Sequence, residues 1–257
     1  MRDAPNEPGQ RLVGGRMSAA VVEGTRLDKR FGGLTVLRAV SFRVDEAEIV
    51  ALIGPNGAGK TTLFNLVSGL ARPTAGRIVA LGKDVTRLPA FRISRLGVGR
   101  TFQTPRPFLE MAALDNVRAA ASFGTRAAAP PEELLALVGL PGDVPAGRLP
   151  IAMRKLLELA MALALGPRVV LLDELLAGLT PTEVNTAVGV LRQIRDRWGI
   201  ALFWTEHVMH AVMATAERII VLHHGEVIAE GSPAAVAADA RVREAYLGEL
   251  TSEEETA

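Results

Sequence analysis

The chain has 257 residues, of which 49% are hydrophobic, and its 29 basic and 28 acidic residues leave a formal net charge of +1. This length allows one large α/β domain with a sizeable core. The charge balance argues against a nucleic-acid-binding surface and against a polybasic membrane anchor. The sequence contains no cysteine, which excludes disulfides, thiolate metal sites and thiol nucleophiles.

Residues 1–19 are predicted to form a flexible tail. They are polar and lack the continuous apolar segment of a signal peptide, and Met17 offers an alternative start. The longest apolar run, around residues 156–165, contains Glu158 and is too short to cross a bilayer. We therefore expect a chain that is soluble by itself.

Hydrophobic periodicity then predicts strands on either side of a helical region. Short β-like runs occur within residues 20–50 and 76–86, and residues 104–165, rich in alanine and leucine, are predicted to be mostly helical. Continuous apolar runs are typical of buried strands in a parallel sheet that is covered on both faces. Such runs occur at Ile49 to Ile53, Val169 to Leu172, Ile200 to Trp204 and Ile219 to Leu222.

A further helix is predicted over residues 182–198. Thr180 is a suitable N-cap, Pro181 suits the first helical position, and Glu183 completes a capping box. A small helical segment is expected after residue 231, followed by an acidic tail over residues 249–257.

The sequence GPNGAGKTT, residues 54–62, lies between the first buried strand and a helical pattern. Glycines let such a loop curl so that its backbone N–H groups point at phosphate oxygens, and the helix adds its positive end. Lys60 is predicted to reach the outer phosphates, and the Thr61 hydroxyl to hold Mg²⁺. The predicted nucleotide-binding loop comprises Gly54, Pro55, Asn56, Gly57, Ala58, Gly59, Lys60, Thr61 and Thr62. The alternative is a glycine-rich turn that binds nothing.

Asp173 and Glu174 stand at the end of the run VVLLDE. Ligands of open α/β sheets bind outside the carboxyl ends of the strands. Asp173 is predicted to hold Mg²⁺ through water, and Glu174 to act on the attacking water as general base or orienting group. The alternative is a pair of solvated loop carboxylates.

Four features occur in the order and spacing of ABC transporter ATP-binding subunits: the phosphate loop, this carboxylate pair, the glutamine of RTFQTP and the histidine of FWTEH. The chain resembles these subunits over about residues 20–248. The resemblance implies an α/β fold: a P-loop NTPase core with a mostly parallel sheet, an antiparallel β-subdomain and a helical subdomain at about residues 104–165. It also implies ATP and Mg²⁺ as ligands, and ATP hydrolysis with Lys60, Glu174 and His207 as catalytic residues.

Three further roles follow from the resemblance. Gln103 would join the Mg²⁺ site to the helical subdomain, His207 would contact the γ-phosphate, and Phe31 would stack on adenine. Alternatively, Gln103 would be a surface loop residue, His207 would only cap a strand end, and Phe31 would be a core aromatic. His223 and His224 are assigned no function.

Longer stretches, including RFGGLTVL and VGRTFQTPRPFLEMAALDNV, resemble the ATPases of bacterial branched-chain amino acid importers. The implied partners are transmembrane permease subunits, a second ATP-binding subunit and, indirectly, a substrate-binding protein. The implied location is the cytoplasmic face of the inner membrane, through the permeases. Related importers carry urea, other amides or small organic acids, so the cargo stays open.

The chain departs from the family where the signature Leu-Ser-x-Gly-Gln is replaced by LPIAM, residues 149–153. Pro150 supplies neither hydroxyl nor N–H, and Ala152 adds a methyl group where backbone must approach phosphate. Leu175 replaces a usual proline, and Thr180 a usual Asp or Asn. We therefore expect the second ATP-binding subunit to be a different chain with an intact signature, with a homodimer as the alternative.

Three other functions remain as alternatives. The first is an ATP-gated, non-hydrolytic subunit whose partner carries the catalysis. The second is an ABC ATPase of translation or DNA repair, which usually needs fused domains and a basic surface. The third is a P-loop kinase or GTPase, but the guanine-reading Asn-Lys-x-Asp stretch is missing.

Overall fold

The computed structural model describes residues 11–13 and 16–246, with side chains from residue 19 onward. Strand β1 (Arg11–Val13) pairs antiparallel with β2 (Arg16–Ser18), so the predicted tail includes a short hairpin. The flexibility of the remaining tail stays a prediction. The acidic tail at residues 249–257 lies outside the described residues.

A six-stranded sheet forms the centre of the molecule. Its order is β12-β11-β5-β10-β9-β8, and every neighbouring pair is parallel except β11 with β12. Its strands are β5 (Ile49–Ile53), β8 (Val98–Arg100), β9 (Val169–Asp173), β10 (Ala201–Thr205), β11 (Arg218–His223) and β12 (Glu226–Gly231). The prediction of a mostly parallel sheet is confirmed, and the four apolar runs form β5, β9, β10 and β11, apart from Ile200, which precedes β10.

A second, four-stranded antiparallel sheet has the order β4-β3-β6-β7. Its strands are β3 (Ala20–Phe31), β4 (Leu34–Asp45), β6 (Ala75–Ala80) and β7 (Lys83–Asp84). The Phe203 ring lies between this sheet and the first helix, with its centroid 5.2 Å from that of Phe42 and 5.0 Å from that of Phe64. The antiparallel β-subdomain is thereby confirmed and shares a core with the central sheet.

Eight α-helices occur in the described part of the chain. They are α1 (Lys60–Val67), α2 (Ala90–Leu96), α3 (Ala113–Ala121), α4 (Pro131–Leu137), α5 (Ile151–Ala164), α6 (Pro181–Trp198), α7 (Met209–Thr215) and α8 (Pro233–Ala238), with a 3₁₀ turn at Ala146–Arg148. Helices α3, α4 and α5 lie within residues 104–165, the region predicted to be mostly helical, but they cover only about half of it, and irregular segments make up most of the rest. None of the described helices has the length and apolar character needed to cross a bilayer.

Candidate nucleotide site

The loop over residues 54–59 connects β5 to α1 and is built around glycines. Gly57 has φ 77° and Gly59 has φ 108°, both in the region that favours glycine. A Cβ on Gly54 would lie 2.0 Å from the Leu222 carbonyl oxygen, so no side chain fits there. The β11–β12 turn supports the loop, because the Gly225 N–H donates to the Ala58 carbonyl at 3.1 Å.

The interior of this loop fits an anion. Within the described residues, the backbone N–H groups of Gly57, Gly59 and Thr61 have no hydrogen-bond partner, although Gly59 is itself buried. Lys60, 7% exposed, donates through Nζ to the carbonyl oxygens of Gly54, at 2.5 Å, and Pro55, at 2.8 Å. Unpaired amides at the start of a helix beside a buried ammonium group are suited to phosphate.

Asp173 is the last residue of β9 and is 4% exposed. Its Oδ1 accepts from the Thr205 hydroxyl at 2.9 Å, and its Oδ2 accepts from an Arg100 guanidinium nitrogen at 3.2 Å. Thr205 is the last residue of the neighbouring β10, so two adjacent strand ends fix this carboxylate. The structure thus holds Asp173 where parallel sheets bind ligands.

Glu174 is held from two sides. Its Oε2 accepts from Gln103 Nε2 at 2.7 Å, and its Oε1 lies 2.9 Å from His207 Nε2. Burial raises the pKa of Glu174, but the hydrogen bonds from His207 and Gln103 outweigh it, and the pKa lies below its ordinary value. Glu174 also has φ 49°, unusual for a side-chain-bearing residue. Three residues that lie far apart in the sequence therefore meet in one cluster.

Magnesium with a nucleotide is compatible with this donor set. No group of three or more His, Asp or Glu side chains able to hold a metal occurs in the described part of the chain. Mg²⁺ needs no such group, because it binds through one or two protein oxygens together with waters and substrate phosphates. Asp173, Thr61 and Gln103 offer oxygen ligands of this kind, and their role as metal ligands stays a prediction.

Phe31 ends β3 and is 53% exposed, so it is not a core aromatic. The Lys29 ammonium lies 4.6 Å from the centre of its ring. An exposed ring at this position is free to stack on a flat ligand, and its adenine contact stays a prediction.

The degenerate signature forms the start of α5. Pro150 is the N-cap, with φ −53° and ψ 152°, and makes no side-chain cap hydrogen bond. Ile151 is 65% exposed, whereas Leu149 is buried. The surface that would face the nucleotide of a second subunit is therefore apolar at this point.

Sequence reasoning missed several charged residues around this site. The Arg100 side chain is 7% exposed and donates to the Asn65 side chain at 2.8 Å and to the Ser68 hydroxyl at 2.7 Å, besides Asp173. Desolvation by burial lowers the pKa of its guanidinium, although Asp173 acts in the opposite direction. Glu206, adjacent to His207, accepts a hydrogen bond from the Leu176 N–H at 2.6 Å.

Lys155 and Glu158 of α5 are also buried and also bond loops of the site. The only sequence signal for these residues was a charge inside or beside an apolar run. For Glu158, that signal is a single charge that interrupts the apolar run at residues 156–165.

Comparisons with known proteins agree with this geometry. A family model described as ABC transporter matches residues 37–177, and one described as branched-chain amino acid ATP-binding cassette transporter matches residues 226–249. The chain is similar to the high-affinity branched-chain amino acid transport ATP-binding protein BraF of Pseudomonas aeruginosa, with 35% identity over 91% of this chain and 100% of that protein. It is 37% identical to the lipopolysaccharide export system ATP-binding protein LptB of Acidithiobacillus ferridurans, over 89% of this chain and 97% of that one.

Solved structures give the same result. A nucleotide-free ATP-binding cassette from an ABC transporter superposes with a TM-score of 0.80, at 27% identity, over 88% of this chain and 98% of that chain. The ADP conformation of another such cassette gives a TM-score of 0.79, at 28% identity, over 90% of this chain and all of that one. The family match covers more than half of the chain and the sequence relatives nearly all of it. The chain therefore belongs to the ABC transporter family of ATP-binding cassettes, which are ATPases.

Proposed function

We propose that this chain binds MgATP in the loop over residues 54–62 and hydrolyses it, with Glu174 acting on the attacking water. The observation that carries the proposal is the Glu174 carboxylate, which Gln103 and His207 hold beside Asp173 at the ends of the parallel strands. A carboxylate with a depressed pKa is ionised at neutral pH and can accept a hydrogen bond from water.

Each side chain has a distinct part in this scheme. Lys60 leaves the Gly54 and Pro55 carbonyls and binds phosphate oxygens, while the loop amides and the start of α1 bind the remaining phosphate charge. Mg²⁺, when bound, neutralises phosphate charge during phosphoryl transfer. His207 orients Glu174 and would contact the γ-phosphate, and Phe31 would stack on the adenine.

Two substitutions test this assignment in the full chain, purified together with the subunits that accompany it. Glu174→Gln keeps the shape of the side chain and removes its charge, so ATP binding should persist while hydrolysis falls by about a hundredfold or more. Lys60→Ala should weaken ATP binding itself, because it removes a positive charge from the phosphate site. Undiminished hydrolysis by Glu174→Gln would show that another group acts on the water.

We further propose that hydrolysis powers an importer for branched-chain amino acids or similar small polar solutes. The names of BraF and of the C-terminal family model support this cargo, whereas the name of LptB describes export, so both the direction and the cargo need a test. The chain would act at the cytoplasmic face of the inner membrane, bound to permease subunits, with a substrate-binding protein delivering the cargo.

A groove beside Gln103 supports the permease contact. The exposed apolar side chains Leu70, Phe91 and Phe102 line it, and its volume is about 300 Å³. Phe91→Asp would place a charge in this apolar surface and should separate the chain from its permeases without reducing ATP binding. Uptake of labelled leucine by cells that lack the chain or carry this variant tests both ideas. Normal leucine uptake in the deletion strain would argue against leucine as the cargo.

A second candidate function is an ATP-gated subunit that does not hydrolyse ATP and leaves catalysis to its partner. The observation that favours it is the start of α5, where Pro150 and Ala152 stand in place of the signature serine and glycine. Those residues would act on the nucleotide of the opposing subunit, so the defect belongs to that second site. The intact cluster around Glu174 favours hydrolysis at the first site.

A further inference from the structure

Two buried charges on α5 bond loops of the site but have no role in the proposed hydrolysis so far. Lys155 is 6% exposed and Glu158 is 8% exposed, and the two lie one helical turn apart. Within residues 19–246 they form no salt bridge, and their hydrogen bonds go to backbone groups. Burying a charge is costly unless it is well bonded, so these contacts identify what the two side chains do.

Lys155 holds the loop that follows the catalytic carboxylate. Its Nζ donates to the carbonyl oxygen of Glu174 at 2.7 Å and to that of Ala177 at 3.1 Å. An ammonium group has three donors, and two of them here bridge the start and the middle of one loop. Lys155 therefore fixes the backbone from which the Glu174 side chain projects.

Glu158 holds the loop that carries the glutamine. Its Oε2 accepts from the Phe102 N–H at 2.8 Å, and its Oε1 accepts from the Arg106 N–H at 3.3 Å. Gln103 lies between these two anchored amides. Glu158 therefore fixes the backbone from which Gln103 projects.

The two loops meet at the site, where the Gln103 amide donates to the Glu174 carboxylate at 2.7 Å. This hydrogen bond closes a ring that runs from α5 through Lys155 to Glu174, across to Gln103, and back through Glu158. We propose that Lys155 and Glu158 are positioning residues that set the Gln103–Glu174 pair and couple it to the start of α5. The proposal rests on the hydrolytic role given to Glu174 above.

The coupling has a direction. Helix α5 begins at Ile151, in the segment that would face the nucleotide of the second subunit, and Lys155 lies one turn further along. A hydrogen-bonded helix moves as a unit, so a shift at its start moves both charges together. A movement of the start of α5 against the second subunit would thereby reach the carboxylate that acts on this chain's own ATP.

The test uses Lys155→Met and Glu158→Gln in the full chain, purified with its accompanying subunits. Lys83→Met and Glu110→Gln make the same changes at exposed positions outside α5 and serve as matched controls. We expect each α5 variant to lower kcat about tenfold while KM for ATP stays within about twofold, because the nucleotide loop is untouched. The controls should match the wild type in both constants.

Hydrogen exchange in the chain alone gives a second readout that does not depend on hydrolysis. In the described part of the chain, the side-chain hydrogen bonds of Lys155 go only to the loop over residues 174–177, so a purely local effect of Lys155→Met would accelerate exchange in that loop alone. Coupling predicts at least about tenfold faster exchange over residues 102–106 as well, and the reciprocal effect over residues 174–177 in Glu158→Gln. If Lys155→Met fails to fold, Glu158→Gln still provides both measurements.

The outcomes separate this inference from the proposed function. Undiminished hydrolysis in Glu174→Gln overturns the proposed role of the carboxylate and this inference with it. Loss of hydrolysis in Glu174→Gln, with α5 variants that match their controls in kcat, overturns only the coupling. The coupling is also overturned if each variant accelerates exchange only in the loop to which its side chain is hydrogen-bonded. A rise in KM for ATP equal to the fall in kcat would overturn it as well.

Discussion

At the scale of single residues, Glu206 offers a clear test of how the site is supported. It is 2% exposed, and its carboxylate accepts from the N–H groups of Leu176 at 2.6 Å and His207 at 3.0 Å. Glu206→Gln replaces one acceptor with a donor that faces an N–H group. We expect the variant to lose about 1–3 kcal/mol of unfolding free energy. It should also hydrolyse ATP more slowly, because the backbone of His207 loses its anchor.

Urea unfolding and steady-state hydrolysis measure these two effects. Glu110→Gln, at an exposed position, is the control and should change neither quantity. A Glu206→Gln variant indistinguishable from this control would mean that the two loops hold their positions without the carboxylate.

Glu158 should produce a pH dependence of stability. Burial raises the pKa of its carboxyl group, although the N–H groups of Phe102 and Arg106 and the charges of Arg100 and Arg106 lower it in part. Because the pKa of Glu158 is higher in the folded state than in the unfolded state, this group stabilises the fold at pH values below its unfolded pKa. That stabilisation is lost as the pH rises through the folded-state pKa. Relative to the wild type, Glu158→Gln should therefore gain unfolding free energy from pH 4.5 upward.

Chemical unfolding of both proteins over a series of pH values measures this difference. A difference that does not change between acid and neutral pH would contradict the prediction. Glu110→Gln again supplies a comparison, since removal of an exposed carboxylate should leave the pH profile close to that of the wild type.

The sequence identified the residues whose chemistry is tied to a local pattern, such as Lys60 in its glycine loop and Glu174 after its strand. It did not identify Arg100, Lys155 or Glu206. Their partners are 73, 19 and 30 positions away in the sequence, so the contacts exist only once the sheet and α5 are assembled. The spacing of hydrophobic residues in the sequence does not indicate which buried charge will contact which loop.

At the scale of secondary-structure elements, the start of α6 is the simplest case. The prediction of a capping box is confirmed, because Thr180 N–H donates to Glu183 Oε2 at 2.7 Å and the Glu183 N–H donates to Thr180 Oγ1 at 3.4 Å. Thr180→Ala should lower the unfolding free energy by about 1 kcal/mol. Urea unfolding of the purified chain measures the change.

Thr186→Ala is the matched control within the same helix. Thr186 is exposed and its hydroxyl bonds the Thr182 carbonyl inside the helix, so the substitution should be neutral or slightly stabilising, as alanine favours the helical state. Equal effects at the two positions would mean that the cap contributes nothing beyond helix propensity.

Elements with strong local signals were predicted well, and those that depend on neighbours were not. The strand at Ile49–Ile53 was predicted with its observed bounds, because a short, fully buried run leaves little choice. The antiparallel edge formed by β11 and β12 was not anticipated in this sheet. The turn between these strands supports the phosphate loop through the Gly225 N–H, a contact that no local pattern around His223 and His224 indicates.

At the scale of the whole molecule, the chain presents one well-formed candidate nucleotide site and one altered signature. The Glu174 cluster is complete within the chain, whereas the apolar start of α5 would face the nucleotide of another subunit. With a partner that carries an intact signature, the phosphate loop of this chain would face that signature, and the altered start of α5 would face only the partner's nucleotide. In a homodimer, both sites would contain the altered start of α5.

This difference leads to a prediction about assembly. Glu174→Gln should retain ATP, so any ATP-bound pair of copies should persist long enough for light scattering. We expect the full-length variant to bind MgATP and stay monomeric, because Pro150 and Ala152 offer neither the hydroxyl nor the close backbone approach that phosphate needs. Adding Pro150→Ser and Ala152→Gly should shift its mass to twice that of the monomer. The further change Lys60→Ala should abolish that shift, since it removes ATP binding. A doubled mass with the signature unaltered would contradict the prediction and show that LPIAM still binds the opposite phosphate.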